Sequence, residues 1–249
     1  MTGTIDRDFY RYIPGPFQYS AGVASLPGYA IERVRFANPV PLAEGFRRIE
    51  AFLTGNGLPL TAFCACELRS PAPFDDAGFI AFNRDYVGTL ERWGIFANDQ
   101  NPVARSNVCP AIDPPVGPAF HAFCYVAPSP GAPLSFVVAG SGEAREGNGP
   151  YRDKTVRYGE TSPGAIANKA RFVLGAMETR MAALGGNWAS ATGVQVYTVH
   201  DPHPFLSAEI VSRGAVRHGL TWHFCRPPVV GLEYEMDCRA VAMERVIAG

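Results

Sequence analysis

No run of apolar residues in this 249-residue chain approaches the roughly 20 needed to cross a bilayer, so no membrane-spanning helix is expected. Net charge is nearly absent: 22 Lys and Arg stand against 23 Asp and Glu, giving −1 at pH 7. No bulk electrostatic pull toward nucleic acid or an anionic membrane follows from that balance. The opening Met-Thr-Gly-Thr-Ile-Asp-Arg-Asp has no hydrophobic signal core, and a cytoplasmic location is the default expectation. Neither a P-loop nor a Gly-x-Gly-x-x-Gly fingerprint occurs. Gly140-Ser141-Gly142 is followed by Glu143 rather than a lysine and reads as a turn. The six cysteines lack the paired spacing of a zinc site, and Cys64-Ala65-Cys66 is not one, so they read as small buried hydrophobes. His200-Asp201-Pro202-His203 offers two histidines in a proline-broken loop without a third ligand. No metal and no cofactor are expected.

What is present is core. Apolar residues make up 47% and charged residues 18%, which suits a well-filled globular protein. The length permits one large domain or two of about 120 residues, and an internal repeat favours two. In the first half Leu42, Phe46, Ile49 and Leu53 make one helical face, stopped by Gly55-Asn56-Gly57. A strand over 61–68 follows, then a Pro-rich loop over 70–74. A second helix carries the stripe Phe79, Phe82, Tyr86, Leu90 and Trp93. The second half repeats the order. Ser162-Pro163 opens a helix whose face is Ile166, Ala170, Val173, Met177, Met181 and Leu184, and Gly185-Gly186 ends it. A strand over 192–199, a Pro-rich loop and a short helix over 206–213 follow. Strands over 119–126 and 232–241 close the two halves. The pattern in each half is strands, a long helix, a strand, a short helix and a strand, which predicts an α+β layer. The join falls in the Pro/Gly-rich 127–133.

This order, with the words set in it, resembles the reactive intermediate deaminase (Rid/YjgF) family. The words are Gly15-Pro16-Phe17-Gln18-Tyr19-Ser20 near the start and Phe82-Asn83-Arg84-Asp85-Tyr86 in the second helix. Pro102-Val103-Ala104-Arg105-Ser106-Asn107-Val108 precedes Pro114 and an apolar strand, and the ending is Pro227-Pro228-Val229-Val230-Gly231-Leu232-Glu233-Tyr234-Glu235-Met236-Asp237. The resemblance covers nearly the whole chain. It implies two tandem Rid/YjgF-like (chorismate-mutase-like) domains, residues 1–127 and 134–249, each a mixed β-sheet with two helices packed on one face. It also implies a trimer with sites between subunits, and a metal-free hydrolase that releases ammonia from a carboxylated enamine or imine.

Carried over by residue, the resemblance makes Arg105, in a turn, the anchor of the substrate carboxylate. Tyr19, Asn83 and Ser106 become its pocket neighbours. A glutamate of the last strand, Glu233 or Glu235, handles water and protons. The first half departs from the family: its last strand, Ala119-Phe120-His121-Ala122-Phe123-Cys124, has no glutamate, and Asn107 replaces a common cysteine. The second half keeps both glutamates but lacks the arginine, with His218 near its place and His223 and Arg226 downstream. One ancestral site is therefore read as divided between the halves. The chemistry suits these groups. A guanidinium holds a carboxylate through two parallel hydrogen bonds, and a positioned Glu or His speeds each proton transfer about a hundred- to ten-thousandfold. Each also has a plain reading: Arg105 as a surface arginine, the glutamates as solvated sheet residues, the histidines as local hydrogen-bonding groups.

The fused, diverged form resembles family members that act on 2-aminomuconate and its 5-chloro analogue in the degradation of aromatic compounds. A small dicarboxylate is therefore the expected substrate, with Arg105, Arg226 and Arg239 as candidates for its two ends. A chorismatase-like hydrolase on the same scaffold, and a non-catalytic Rid protein binding small acids, are the alternatives. Turnover of chorismate would mark the first, and ligand binding without turnover of any enamine the second.

Overall fold

The computed structural model describes residues 3–147 and 149–248. Each amphipathic stripe forms its helix. Helix α1 is Leu42–Gly55, with Phe46, Ile49 and Leu53 buried. Helix α2 is Asp76–Arg92; the Asp75 side chain accepts from the Gly78 N–H at 2.6 Å and caps it. A short turn, α3, spans Tyr151–Lys154. Helix α4 is Pro163–Leu184, capped by Ser162 and ended by Gly185 at φ +87°, where a side chain would strain the left-handed backbone.

The strands in chain order are β1 (Ile5–Arg7), β2 (Tyr10–Ile13), β3 (Gly22–Ser25), β4 (Tyr29–Pro41), β5 (Phe63–Arg69), β6 (Ala104–Pro110) and β7 (Ala119–Pro128). They continue with β8 (Phe136–Gly142), β9 (Gly193–Tyr197), β10 (Thr221–His223), β11 (Cys225–Arg226), β12 (Glu235–Ala240) and β13 (Met243–Ile247). They form two mixed sheets, ordered β11-β6-β5-β7-β4-β13 and β1-β2-β3-β8-β12-β9-β10. The inner order is the same in both: β6-β5-β7-β4 answers β10-β9-β12-β8, each with one parallel pair at the same place.

The expected α+β class is what the structure has, and several local expectations are corrected. The first half's second helix is the longer of its two, 17 residues against 14. The short helix expected over 206–213 is present but irregular: after one turn at His203–Phe205 it runs as a π segment, Leu206–Ile210, and a 3-10 segment, Val211–Arg213, and ends at Gly214 with φ +82°. Gly140-Ser141-Gly142 is no turn: it ends β8, where Met236 pairs with Ser141 and Glu235 with Gly142, and ladder hydrogen bonds outweigh the local preference of glycine. Arg105 likewise sits in strand β6 opposite Cys66 of β5, not in a turn. The sheets also cross the expected division of the chain at 127–134. Strands β1–β3 join the second sheet through β3 and β8, while β11 and β13 from the far end join the first through β6 and β4.

Three apolar layers result. One lies under α4, with Phe136, Val173, Met177, Leu184, Trp188 and Met236. Another lies under α1 and α2, with Phe46, Ile49, Tyr86, Leu90, Trp93 and Phe123. The third draws on both sheets and is rich in small side chains, among them Ala65, Ala104, Cys64, Cys124 and Ala139, which let the sheets approach closely. All six cysteines are buried and unpaired. Among the described residues, no helix is long and apolar enough to cross a membrane.

Candidate active site

A cavity of about 610 Å³ opens beside the meeting of β6 and β8, and its wall takes residues from both sheets. From β6 come Arg105 and Asn107, two residues apart and therefore on one side of the strand. Ser106 between them lines the narrow crevice between the sheets instead. The Asn107 Oδ1 accepts from the Ser70 hydroxyl at 2.9 Å.

Arg105 is only 3% exposed. Its guanidinium carbon lies 4.8, 5.5 and 5.6 Å from the ring centres of Tyr86, Phe82 and Tyr19. Among the described residues it has no salt bridge, and its Nη1 is buried without a hydrogen-bond partner. Aromatic faces offset part of the cost of burying a cation, but an unmatched buried N–H is expensive. A carboxylate entering the cavity would satisfy it through the guanidinium's fork of donors.

Glu235 faces the same cavity from the start of β12 and is 4% exposed. Burial above all, then repulsion from Asp237 and Glu143, holds its carboxyl well above the ordinary carboxylate value of 4.5; Arg105 and Arg69 pull the other way without prevailing. Its carboxyl, facing the cavity, therefore holds its proton more tightly than an ordinary carboxyl does. Its approach is fixed by Glu143, whose carboxylate accepts from the N–H of Glu233 at 2.7 Å and of Tyr234 at 3.1 Å. Glu143 has no exposure and is paired at 3.1 Å with Lys169, which also donates to the Val156 carbonyl at 2.9 Å. The two residues leading into Glu235 thus hang on a buried ion pair.

Gly140 makes this juxtaposition possible. A Cβ there would lie 2.2 Å from the Glu235 Oε1 and 2.8 Å from the Ser106 Cβ. Gly140→Ala is expected to cost about 1–3 kcal/mol of stability, the range for overpacking, and to lower turnover by turning Glu235 aside. Denaturant unfolding together with ammonia release checks this; an alanine variant equal to wild type in both would refute the close approach.

The family model for 2-aminomuconate deaminase CnbZ matches residues 2–245. The chain belongs to this family. A 2-amino-5-chloromuconate deaminase of Comamonas testosteroni is 52% identical over 240 residues, 96% of each chain. The expected activity, a deaminase of aromatic-compound degradation acting on a C–N bond, is that of the family. A solved chorismatase structure is similar over 96% of this chain and 79% of its own, with TM-score 0.51 and 9% identity, a likeness of fold alone. The YjgF gene product of E. coli matches 43% of this chain and 80% of its own, with TM-score 0.31 and 16% identity.

Within this deaminase, the residues singled out from sequence are only partly brought together. Arg105, Tyr19 and Glu235 line the cavity. Asn83 does not: its Nδ2 donates to the Phe79 carbonyl at 2.6 Å, one turn back on α2. Glu233 precedes β12, so it does not share a strand face with Glu235; it binds His200 at 2.8 Å and Arg226 at 3.1 Å. Arg226 is half-exposed and outside the cavity wall. His218 is exposed in the loop before β10. His223 stacks on Tyr197 with 5.0 Å between ring centres and meets the Gln195 Oε1 at 3.1 Å; burial, then Arg69, pushes its pKa down to about 4. Arg239 is tied to Glu244 at 2.7 Å, and His203 to Asp201 at 2.5 Å. Among the described residues, no three His, Cys, Asp or Glu side chains converge as a metal would need.

Arg180, Glu143 and Gly140 were missed by the sequence reading. The signals existed. Arg180 and Lys169 fall on the apolar stripe of α4, and a cation on a buried helix face needs a partner. Gly140 interrupts apolar strand text, a mark of close backbone approach.

Proposed function

We propose that the chain hydrolyses 2-aminomuconate or its 5-chloro analogue to ammonia and the corresponding 2-oxo acid, without a metal or organic cofactor. The observation that carries this reading is the meeting, in one cavity, of a buried guanidinium without a salt bridge among the described residues and a buried carboxyl whose hold on its proton burial strengthens, each supplied by a different sheet. Arg105 takes the carboxylate next to the amino-bearing carbon and orients the enamine. Glu235 donates its proton to the enamine carbon, giving an iminium. Water adds to the carbon bearing nitrogen while the Glu235 carboxylate recovers a proton from it. The resulting carbinolamine moves its hydroxyl proton to nitrogen, the C–N bond breaks, and ammonia leaves as the C=O forms. Tyr19 and the aromatic rings around Arg105 keep water from competing for the guanidinium.

The two halves are, in this reading, one duplicated Rid-type unit. Their matching strand orders support it. β6 supplies the arginine, β10 in the matching place has Thr221, Trp222 and His223, and β7 has no carboxylate. One composite site therefore serves the chain. A trimer of chains is the proposed assembly, and light scattering that gave a lone 26.9 kDa species would contradict it. The activity is tested by incubating the purified protein with 2-aminomuconate while following ultraviolet absorbance and ammonia. Release no faster than the uncatalysed reaction would remove this reading.

A further inference from the structure

A diacid has a second charged end, and neither Arg226 nor Arg239 reaches the cavity wall. Arg180 does, from α4. Its side chain is 10% exposed, and its Nη1 donates to the Ala139 carbonyl at 3.3 Å, beside Gly140, which fixes it to the wall. Its Nη2 holds the Glu146 carboxylate at 2.9 Å. The two partners differ sharply in setting: the Glu146 side chain is 76% exposed and has no other hydrogen bond among the described residues.

We propose that Glu146 occupies Arg180 in the free protein as a stand-in for the distal carboxylate of a diacid substrate, which replaces it on binding. The inference rests on reading Arg105 as the anchor of the proximal carboxylate. An ion pair with one exposed partner is weak and returns a solvated carboxylate to water at small cost. A second carboxylate, tethered to one already held by Arg105, competes at high effective concentration. Charge agrees. Among the described residues the wall carries four cations, Arg105, Arg145, Lys154 and Arg180, against the carboxylates of Asp76 and Glu146. Even with Glu235, also on the wall, counted as charged, the cations outnumber the carboxylates, which favours an anionic ligand.

The test compares two inert ligands with the same carbon skeleton, trans,trans-muconate with two carboxylates and sorbate with one, by titration calorimetry. Wild type is expected to bind muconate about tenfold to a hundredfold more tightly, the worth of one charge-assisted contact. Arg180→Met should bring muconate down to the affinity of sorbate and leave sorbate unchanged, a result that also shows the variant to be folded. Glu146→Ala, at an exposed position, should tighten muconate about two- to fivefold, the range of an exposed ion pair, and leave sorbate unchanged. Equal binding of the two ligands by wild type, proportional weakening of both in Arg180→Met, or unchanged or weaker muconate binding in Glu146→Ala would each overturn the inference. Failure of the activity assignment would show differently: muconate would bind with these ratios, yet 2-aminomuconate would release no ammonia.

Discussion

Replacing Arg105 with methionine is expected to lower kcat/KM for 2-aminomuconate by about a hundred- to a thousandfold while leaving the fold as stable as before, or more so. Two parallel charge-assisted hydrogen bonds to a carboxylate are at stake, together worth about 3–4 kcal/mol in a desolvated site. Stability should move the other way because of what the guanidinium lacks. It is buried with no salt bridge and an unmatched Nη1 among the described residues, and three aromatic faces are its only compensation. A methionine of similar length keeps contact with Tyr19, Phe82 and Tyr86 and removes the desolvated charge. Such a trade of stability for activity marks a residue held for a ligand. Urea unfolding and steady-state kinetics on one preparation decide it. A variant that loses stability in step with activity would make Arg105 a structural residue.

Glu235→Gln is expected to lower kcat about a hundred- to ten-thousandfold, the range for losing a general acid, with little change in KM. The amide keeps the shape of the carboxyl but cannot transfer a proton. The pH dependence has a definite sign. Because the acid form donates, wild-type kcat should fall as pH rises through the raised value of Glu235, and this limb should vanish in the variant. Stability follows the same titration. Above the ordinary value of 4.5 the unfolded chain releases this proton while the folded protein keeps it. The unfolded state then binds fewer protons, so the group lowers stability as pH rises from 4.5 to the raised folded value. Glutamine removes that penalty: the variant should be the more stable at pH 8, by a margin that shrinks as pH falls toward 4.5. Unfolding curves at several pH values measure the margin, and one that grew toward acid would contradict the buried, protonated assignment.

Legibility from sequence was uneven for physical reasons. The stripes of α1, α2 and α4 were readable because 3.6-residue periodicity is set within each segment. The Ser162 cap and the Gly185 stop were readable because their chemistry is local. The short helix over 206–213 was readable in extent but not in type, since sequence pattern does not separate π and 3-10 hydrogen bonding from α. At the site, a strand pattern gives alternation but not where the strand begins. With β12 starting at Glu235, Glu233 was left to His200 and Arg226, and Glu235 alone met the cavity.

By itself the sequence determined the α+β class and the repeated order of elements, because these depend on residues a few positions apart. Only the tertiary structure decided that β1–β3 and β13 cross to the opposite sheets, that Gly140 lets β6 and β8 touch, and that Arg105, Glu235 and Arg180 share one cavity. Those outcomes depend on which faces of two distant sheets are pressed together. Burial then raises the proton affinity of Glu235 and leaves Arg105 without a salt bridge among the described residues, a property of the closed interior that no local pattern carries.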